Sequence, residues 1–237
     1  MLRGCRDLLI SARLGWVVVV AVLLAACDSN EREGAGSAAA GEASLRAALR
    51  EFADASFAVE YAGQWSDSEK VEGGQVVLAK EGSRRLSIRV VTGDAWLFFL
   101  ISEEVSAVCS NGPADLPFFF QGLADVGAEG VCTGSRSVAG VSQLQQGLAQ
   151  GNPIGGNVGD YKISVTPERI VLGQRAACYH GTEKNGGEEF DVCFGASGAM
   201  LYRSTVALGE SSVWEATSLH EPSSAQFELP FPLIEKP

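Results

Sequence analysis

Cysteine is the residue type in this chain with the widest choice of chemistry, because a thiol can form a disulfide, bind a metal or act as a nucleophile. The 237-residue sequence contains six cysteines, and none belongs to a C-x-x-C pair. That spacing argues against a zinc ribbon and against a thioredoxin-like redox centre. Since the chain has only two histidines, we predict neither a metal site nor a cofactor. The six are Cys5, Cys27, Cys109, Cys132, Cys178 and Cys193.

The serines and histidines show no spacing that is typical of an enzyme. Ser135, Ser197 and Ser211 lie near glycines, but none occupies a G-x-S-x-G nucleophile turn. His180 and His220 belong to no H-E-x-x-H motif, and a surface or hydrogen-bonded strand histidine is the favoured interpretation. We predict no catalytic residue, and therefore a protein that is not an enzyme.

The charge balance excludes one class of partner. The chain carries 18 Lys and Arg against 29 Asp and Glu, a formal net charge of −11. Non-specific binding to nucleic acid depends on basic side chains that neutralise phosphates. We therefore expect no nucleic-acid partner.

Residues 1–26 have the organisation of a secretory signal peptide. Arg3, Arg6 and Arg13 precede an uncharged apolar stretch over residues 15–24, which is too short to span a bilayer as a mature helix. The following Leu24-Ala-Ala-Cys27 resembles the bacterial lipobox, and the alternative is an ordinary signal peptide with an incidental cysteine. The resemblance implies that Cys27 is acylated and becomes the first residue of the mature protein. The protein would then be lipid-anchored at the cell membrane, on its extracytoplasmic side.

The segment after Cys27 is predicted to be a tether. Residues 27–42 are rich in Ala, Gly, Ser and Glu and contain no aromatic residue, a composition typical of a flexible linker. Residues 43–237 then form a single β-rich domain.

Cys5 would be removed with the signal peptide and Cys27 would be acylated, which leaves four cysteines in the domain. Export permits disulfides among these four. Asn185-Gly186 lies midway between Cys178 and Cys193, and Asn-Gly between strand-like residues favours a hairpin. A four-residue loop at 184–187 would place the two cysteines opposite each other at a close, non-hydrogen-bonded position. Cys109 then pairs with Cys132 by elimination. The alternative is four free buried thiols.

The elements that position these residues follow from hydrophobic periodicity. Residues 43–56 place Leu45, Leu49 and Phe52, with Ala48, on one stripe of an amphipathic helix. Alternation in Leu86-Ser-Ile-Arg-Val90 predicts an antiparallel sheet with one wet face. Residues 116–125 are predicted to form a short apolar helix or a loop, and residues 137–150 a second helix. The predicted strands cover residues 57–62, 75–80, 84–91, 95–101, 104–109, 161–166, 169–180, 188–194, 200–208 and 212–219.

This order predicts an α+β fold, and it resembles that of a known family. The organisation of the chain resembles that of the LolA/LppX/LprG lipoprotein-carrier superfamily. The shared features are a lipobox, a tether, a leading helix, a strand meander, a mid-chain helical insert and a second meander that ends in Phe227-x-x-Pro230. The resemblance implies a curved antiparallel β-sheet, a half-barrel, with an N-terminal helix, a mid-chain helical insert and an apolar cavity for acyl chains.

Two apolar runs are candidates for the lining or lid of such a cavity. The run from Trp96 to Ile101 is apolar on both faces of its strand, so both faces must be covered. The second run, residues 118–120, lies beside Pro117. Either run could instead be ordinary core. The candidates are Trp96, Phe98, Phe99, Phe118, Phe119 and Phe120. We therefore expect an envelope lipoprotein that binds or carries a lipid or other amphiphile; the alternative is an envelope protein-interaction or sensor module without a lipid ligand.

Overall fold

Alternating apolar residues build most of this chain into one antiparallel-rich sheet. The computed structural model of the protein describes residues 38–66, 71–111, 130–135, 153–154 and 156–235. Twelve strands form a curved, unclosed sheet in the order β12-β6-β5-β4-β3-β2-β1-β11-β10-β9-β8-β7. The strands are β1 (Ser56–Ser66), β2 (Val71–Glu81), β3 (Arg85–Thr92), β4 (Ala95–Ser102), β5 (Ser106–Ser110), β6 (Val131–Ser135), β7 (Tyr161–Val171), β8 (Gln174–Glu183), β9 (Glu188–Gly195), β10 (Met200–Ala207), β11 (Glu210–His220) and β12 (Leu233–Glu235).

The sheet is two meanders joined at their first and last strands. The first meander runs outward from β1 to β6, and the second runs back from β7 to β11. Strand β11 pairs with β1, and β12 adds a short parallel edge beside β6. All other neighbours are antiparallel, which agrees with the predicted sheet type.

The leading helix, α1, covers residues 38–54 of the described chain. Its predicted stripe is confirmed, because Leu45, Ala48, Leu49 and Phe52 are buried in the main apolar cluster of the sheet. Residues 38–42, which we assigned to the tether, are helical. No helix in the described part of the chain is long and apolar enough to span a membrane.

Two details of the predicted strands are wrong. Residues 169–180 do not form one strand, because a two-residue turn at Leu172-Gly173 separates β7 from β8. Strands β6 and β12 were not predicted. The two predicted mid-chain segments lie outside the described residues.

We call the sheet face against α1 the inner face and the opposite side the outer face. In the first meander, alternate residues such as Leu86, Ile88 and Val90 join the inner cluster with α1. The predicted wet outer face holds only in part, because Arg89 is exposed whereas Ser87 is only 3% exposed. Residues 221–235, which we call the C-terminal strap, cover the buried part of this face.

The strap closes a second, smaller apolar cluster on the outer face. Phe227 is buried there with residues from β1, β2, β4, β5 and β6, and Leu229, Phe231 and Leu233 pack against the same cluster. The strap begins with a 3-10 helix, Ser224–Phe227, and ends in β12. Its path is fixed at the far end by the Cys132 amide, which donates to Pro232 O at 3.1 Å.

Candidate functional site

Strand β4 sends its aromatic side chains to both faces of the sheet. Leu97, Phe99 and Ile101 lie in the inner cluster, whereas Phe98 lies in the outer cluster and Trp96 packs against it. The predicted covering of both faces of this strand is therefore confirmed. Phe99 lies on the other face of the sheet from Trp96 and Phe98, because adjacent strand residues point to opposite faces.

A cavity of about 380 Å³ lies between the outer face and the strap. Its volume falls at the lower end of the range for small-molecule sites, roughly 300–1,000 Å³. The sheet forms one wall and the strap forms the other. It is lined by Val77, Ser87, Arg89, Trp96 and Phe98 from the sheet, and by Ala225, Gln226, Glu228, Leu229 and Pro230 from the strap.

Two aromatic side chains of the strap flank the residues that line this cavity. The Phe231 ring stacks on Trp96 with the ring centroids 5.4 Å apart. The Phe227 ring lies 4.5 Å from the Arg85 guanidinium carbon. The segment between Phe227 and Phe231 therefore crosses the outer face of the sheet and is fixed by a contact at each end.

One cationic group belongs to the cavity wall. The Arg89 guanidinium carbon lies 5.2 Å from the Trp96 ring centroid, a cation–π geometry. Glu228 of the strap supplies an acidic group to the same lining. The cavity thus combines an aromatic and aliphatic surface with charges of both signs, a composition that suits an amphiphile.

Several predicted site residues cannot be placed. Phe118, Phe119 and Phe120, proposed as a lid, lie outside the described residues, as does Cys27. The strap was not recognised as part of the site, although its Phe227-Glu-Leu-Pro-Phe-Pro run is rich in apolar residues. This apolar composition is the feature of the sequence that could have identified the strap as part of the site.

The structure contains both disulfides in the expected pairing. Cys178 and Cys193 lie directly opposite each other in β8 and β9, and the loop between these strands is residues 184–187. Cys109 and Cys132 face each other in β5 and β6. In each pair the Cα atoms are 4.1 Å apart, the close spacing of a non-hydrogen-bonded cross-strand pair.

A hydrogen-bonded row on β8–β10 resembles a catalytic triad in the order of its groups. Thr182 Oγ1 lies 3.2 Å from His180 Nε2, and His180 Nδ1 lies 3.0 Å from Asp191 Oδ1. Ser204 Oγ donates to the other oxygen of Asp191 at 3.2 Å. These residues line neither the strap cavity nor the second cavity of about 260 Å³ beside Leu49. We interpret the row as surface hydrogen bonding rather than as a catalytic group.

The inner face of the second meander holds a buried cation. Arg203 is 7% exposed, and its Nε donates to Pro153 O at 3.1 Å. Burial lowers its pKa to about 10, so Arg203 stays charged at neutral pH. Nearby, the Tyr161 hydroxyl donates to Glu188 Oε2 at 2.9 Å, and burial together with that carboxylate raises the pKa of Tyr161. The first contact joins residues 153–154 to β10, and the second joins the start of β7 to the start of β9.

Metal binding has no support in the described part of the chain. Among those residues, no three His, Cys, Asp or Glu side chains are grouped as they would be around an ion.

Comparisons with known proteins give only remote structural likenesses. No protein-family model and no curated protein matches the sequence. The MucA/MucB complex of Pseudomonas aeruginosa matches 80% of this chain and 60% of that chain, at 14% identity and a TM-score of 0.48. This chain therefore spans less than two thirds of the length of that structure.

For two further structures, the match extends over nearly the whole length of the solved chain. A LolA superfamily protein from Nitrosomonas europaea matches 78% of this chain and 97% of that chain, at 12% identity and a TM-score of 0.36. The lipoprotein LppX of Mycobacterium tuberculosis matches 78% of this chain and 97% of that chain, at 10% identity and a TM-score of 0.43.

Proposed function

We propose that this protein is an exported envelope lipoprotein, anchored through Cys27, that binds a lipid or other amphiphile in the cavity beneath the C-terminal strap. The observation that carries the proposal is the cavity itself. Its volume of about 380 Å³, its aromatic wall at Trp96 and Phe98 and its charged Arg89 match the composition of a ligand with an apolar and a polar part.

The disulfides support the exported location. Both bridges are buried, because each of their four cysteines is at most 3% exposed. Stable structural disulfides are typical of proteins outside the cytoplasm. The predicted signal peptide and lipobox are consistent with that compartment, and acylation of Cys27 would keep the domain at the membrane surface.

The ligand is tested by extraction of the purified protein with organic solvent, followed by mass spectrometry. We expect one amphiphile at a stoichiometric level. In the variant Ser87→Leu, a larger side chain projects from the outer face into the cavity, and we expect the ligand to be lost while the fold is kept. The matched control is Ser164→Leu, at an exposed position of β7, which should retain the ligand. A protein that carries no amphiphile, or an S87L variant that keeps it, would disprove the proposal.

The anchor is tested separately. We expect Cys27→Ser to move the protein from the membrane fraction to the soluble fraction after signal cleavage. A C27S protein that is processed and still membrane-bound would show that Cys27 is not the anchor, without affecting the ligand proposal.

A second candidate function is recognition of an envelope protein, without a lipid ligand. The observation that favours it is a set of exposed aliphatic side chains on β7, the last strand of the sheet, and on its turn: Val165 at 61%, Ile170 at 68% and Leu172 at 42%. A V165D/I170D double variant that loses capture of a membrane-protein partner, while ligand content is unchanged, would favour this function.

A further inference from the structure

Within the part of the chain that the structure describes, one region of the inner face holds three buried polar atoms that have no hydrogen-bond partner. They are Trp65 Nε1, Ser212 Oγ and Thr205 Oγ1. Their residues are 5%, 1% and 0% exposed, so bulk water does not reach them. Buried polar groups in folded proteins are nearly always paired with protein or with an ordered molecule. A cluster of three unpaired groups therefore needs an explanation.

Strand register places the three groups in one row. Trp65 on β1 is directly opposite Ser212 on β11, and Ser212 is directly opposite Thr205 on β10. Residues that face each other across antiparallel strands share a face, with their Cβ atoms about 4.5–5.5 Å apart. The three side chains therefore start from the same face of the sheet on three neighbouring strands.

Glycines make room for Trp65 away from the two hydroxyls. A Cβ atom on Gly63 would lie 2.6 Å from Cη2 of Trp65, and one on Gly74 would lie 2.8 Å from its Cζ3. The six-membered ring of Trp65 thus occupies a slot over β1 and β2. The five-membered ring, which carries Nε1, is not the part that fills this slot.

The other end of the row is built in the same way. Phe190 on β9 faces Thr205, and a Cβ atom on Gly181 of β8 would lie 2.3 Å from the Phe190 ring. Phe190 therefore lies over Gly181, on the side away from Thr205. The row consists of two small hydroxyl residues between two aromatic rings that are each seated over glycines.

We propose that Trp65, Ser212 and Thr205 form an internal binding site for an oxygen atom that accepts hydrogen bonds. The indole N–H can only donate, and each hydroxyl can donate one hydrogen bond or accept one, so an oxygen bound here accepts from the indole and from one hydroxyl. That oxygen comes from an ordered water molecule or from the carbonyl group of a bound amphiphile. The site lies on the inner face and is separate from the strap cavity, so it does not depend on the proposed function.

Stability measurements distinguish an occupied site from an empty one. Thr205→Val keeps the shape of the side chain and removes the hydroxyl. If an oxygen is bound, we expect T205V and Ser212→Ala each to lower the Tm by about 2–4 °C. The matched reference for the loss of a paired hydroxyl is Ser211→Ala, because Ser211 is the neighbour of Ser212 and its hydroxyl is paired with Ser66 Oγ at 2.6 Å. We expect T205V and S212A to lower the Tm as this reference variant does. A Tm that is unchanged or raised in T205V would overturn the proposal, because removal of an unpaired buried hydroxyl is favourable.

Nuclear magnetic resonance of the indole N–H groups gives a second readout on the folded wild-type protein. We expect the Trp65 indole resonance, assigned with Trp65→Phe, to have the downfield shift of a hydrogen-bonded N–H and to move in T205V. A resonance at the position of a free N–H that is the same in T205V would contradict the site. Removal of bound amphiphile on a hydrophobic resin, with the protein kept folded, then identifies the source: an unchanged Trp65 resonance indicates water, and a changed one indicates an amphiphile carbonyl.

Discussion

Lys80 shows how a single buried charge can hold a helix to a sheet. Its residue is 1% exposed, and its Nζ donates to the carbonyl oxygens of Ala53, in the last turn of α1, and of Gly82. The ammonium also lies 5.6 Å from the Phe52 ring centroid. A cation at the carboxyl end of a helix satisfies free carbonyl groups and complements the helix dipole.

The pKa of Lys80 makes stability depend on pH. Burial lowers it from 10.5 to about 8, although the Asp54 carboxylate opposes that effect. Between these two values the unfolded chain binds more protons than the folded one, so the free energy of unfolding rises with pH. We expect wild type to gain up to about 3 kcal/mol over Lys80→Met between pH 8 and 10.5. Urea titrations of both proteins across this range provide the measurement, and parallel pH profiles would contradict the assignment.

At the scale of elements, two hairpin turns use leucine where the backbone favours asparagine or glycine. Leu172 and Leu208 both have φ of 53°, and each is followed by a glycine with positive φ. These values fit the type I′ turn, in which Asn-Gly is the preferred pair. Leu208 is also 83% exposed, so its side chain gains little from packing.

The β10–β11 turn can therefore be stabilised by one substitution. A β-carbon in the left-handed region costs about 1 kcal/mol, and asparagine tolerates this region better than leucine. We expect Leu208→Asn to raise the Tm by about 2–4 °C. Leu172→Asn should act in the same direction but less strongly, since Leu172 is half as exposed. Calorimetry measures both, and a lower Tm in L208N would show that Leu208 makes a contact that stabilises the protein.

Periodicity in the sequence was sufficient for the long elements and insufficient for the short ones. The helix stripe at Leu45, Leu49 and Phe52 and most strands have patterns of at least five residues, and the structure follows them. Strand β12 has only three residues, too few for an alternation to be recognised. The turn at Leu172 was missed because leucine is not a turn-forming residue type.

The candidate site was predictable on one side only. Strand β4 was recognised as apolar on both faces, and this correctly required a cover for Trp96 and Phe98. What covers them could not be inferred, because the strap is distant in sequence and is held by nonlocal contacts such as Phe231 on Trp96. The division of Phe98 and Phe99 between two faces follows from strand geometry, but only once the strand is known to be regular.

At the scale of the whole domain, the two apolar clusters are unequal and lie on opposite faces of the sheet. The inner one contains α1 and residues from both meanders, whereas the outer one depends on the strap and the first meander. Release of the strap would expose the outer cluster and leave the inner one intact. Local opening of this kind needs less free energy than global unfolding.

Hydrogen exchange of a Phe231→Ala variant tests this independence. The substitution removes the stacking on Trp96, so the strap should open more often. We expect faster exchange at the amide of Cys132, which donates to Pro232 O, and unchanged exchange in α1. The control is Val165→Ala, at an exposed position, which should leave both regions unaffected. Equal acceleration in α1 and at Cys132 would mean that the clusters open together.

The strand order also determines when the protein can fold during synthesis. Each meander is made of neighbours in sequence and forms from local contacts, which are the fast ones. Strand β1, however, waits for β11 to cover its second edge, and β11 is separated from it by more than half of the chain. The strap, which shields the outer face, is made later still. Every intermediate that lacks residues 210–235 therefore presents an open strand edge and an uncovered apolar face, so we expect the nascent chain to need a chaperone until those residues are available.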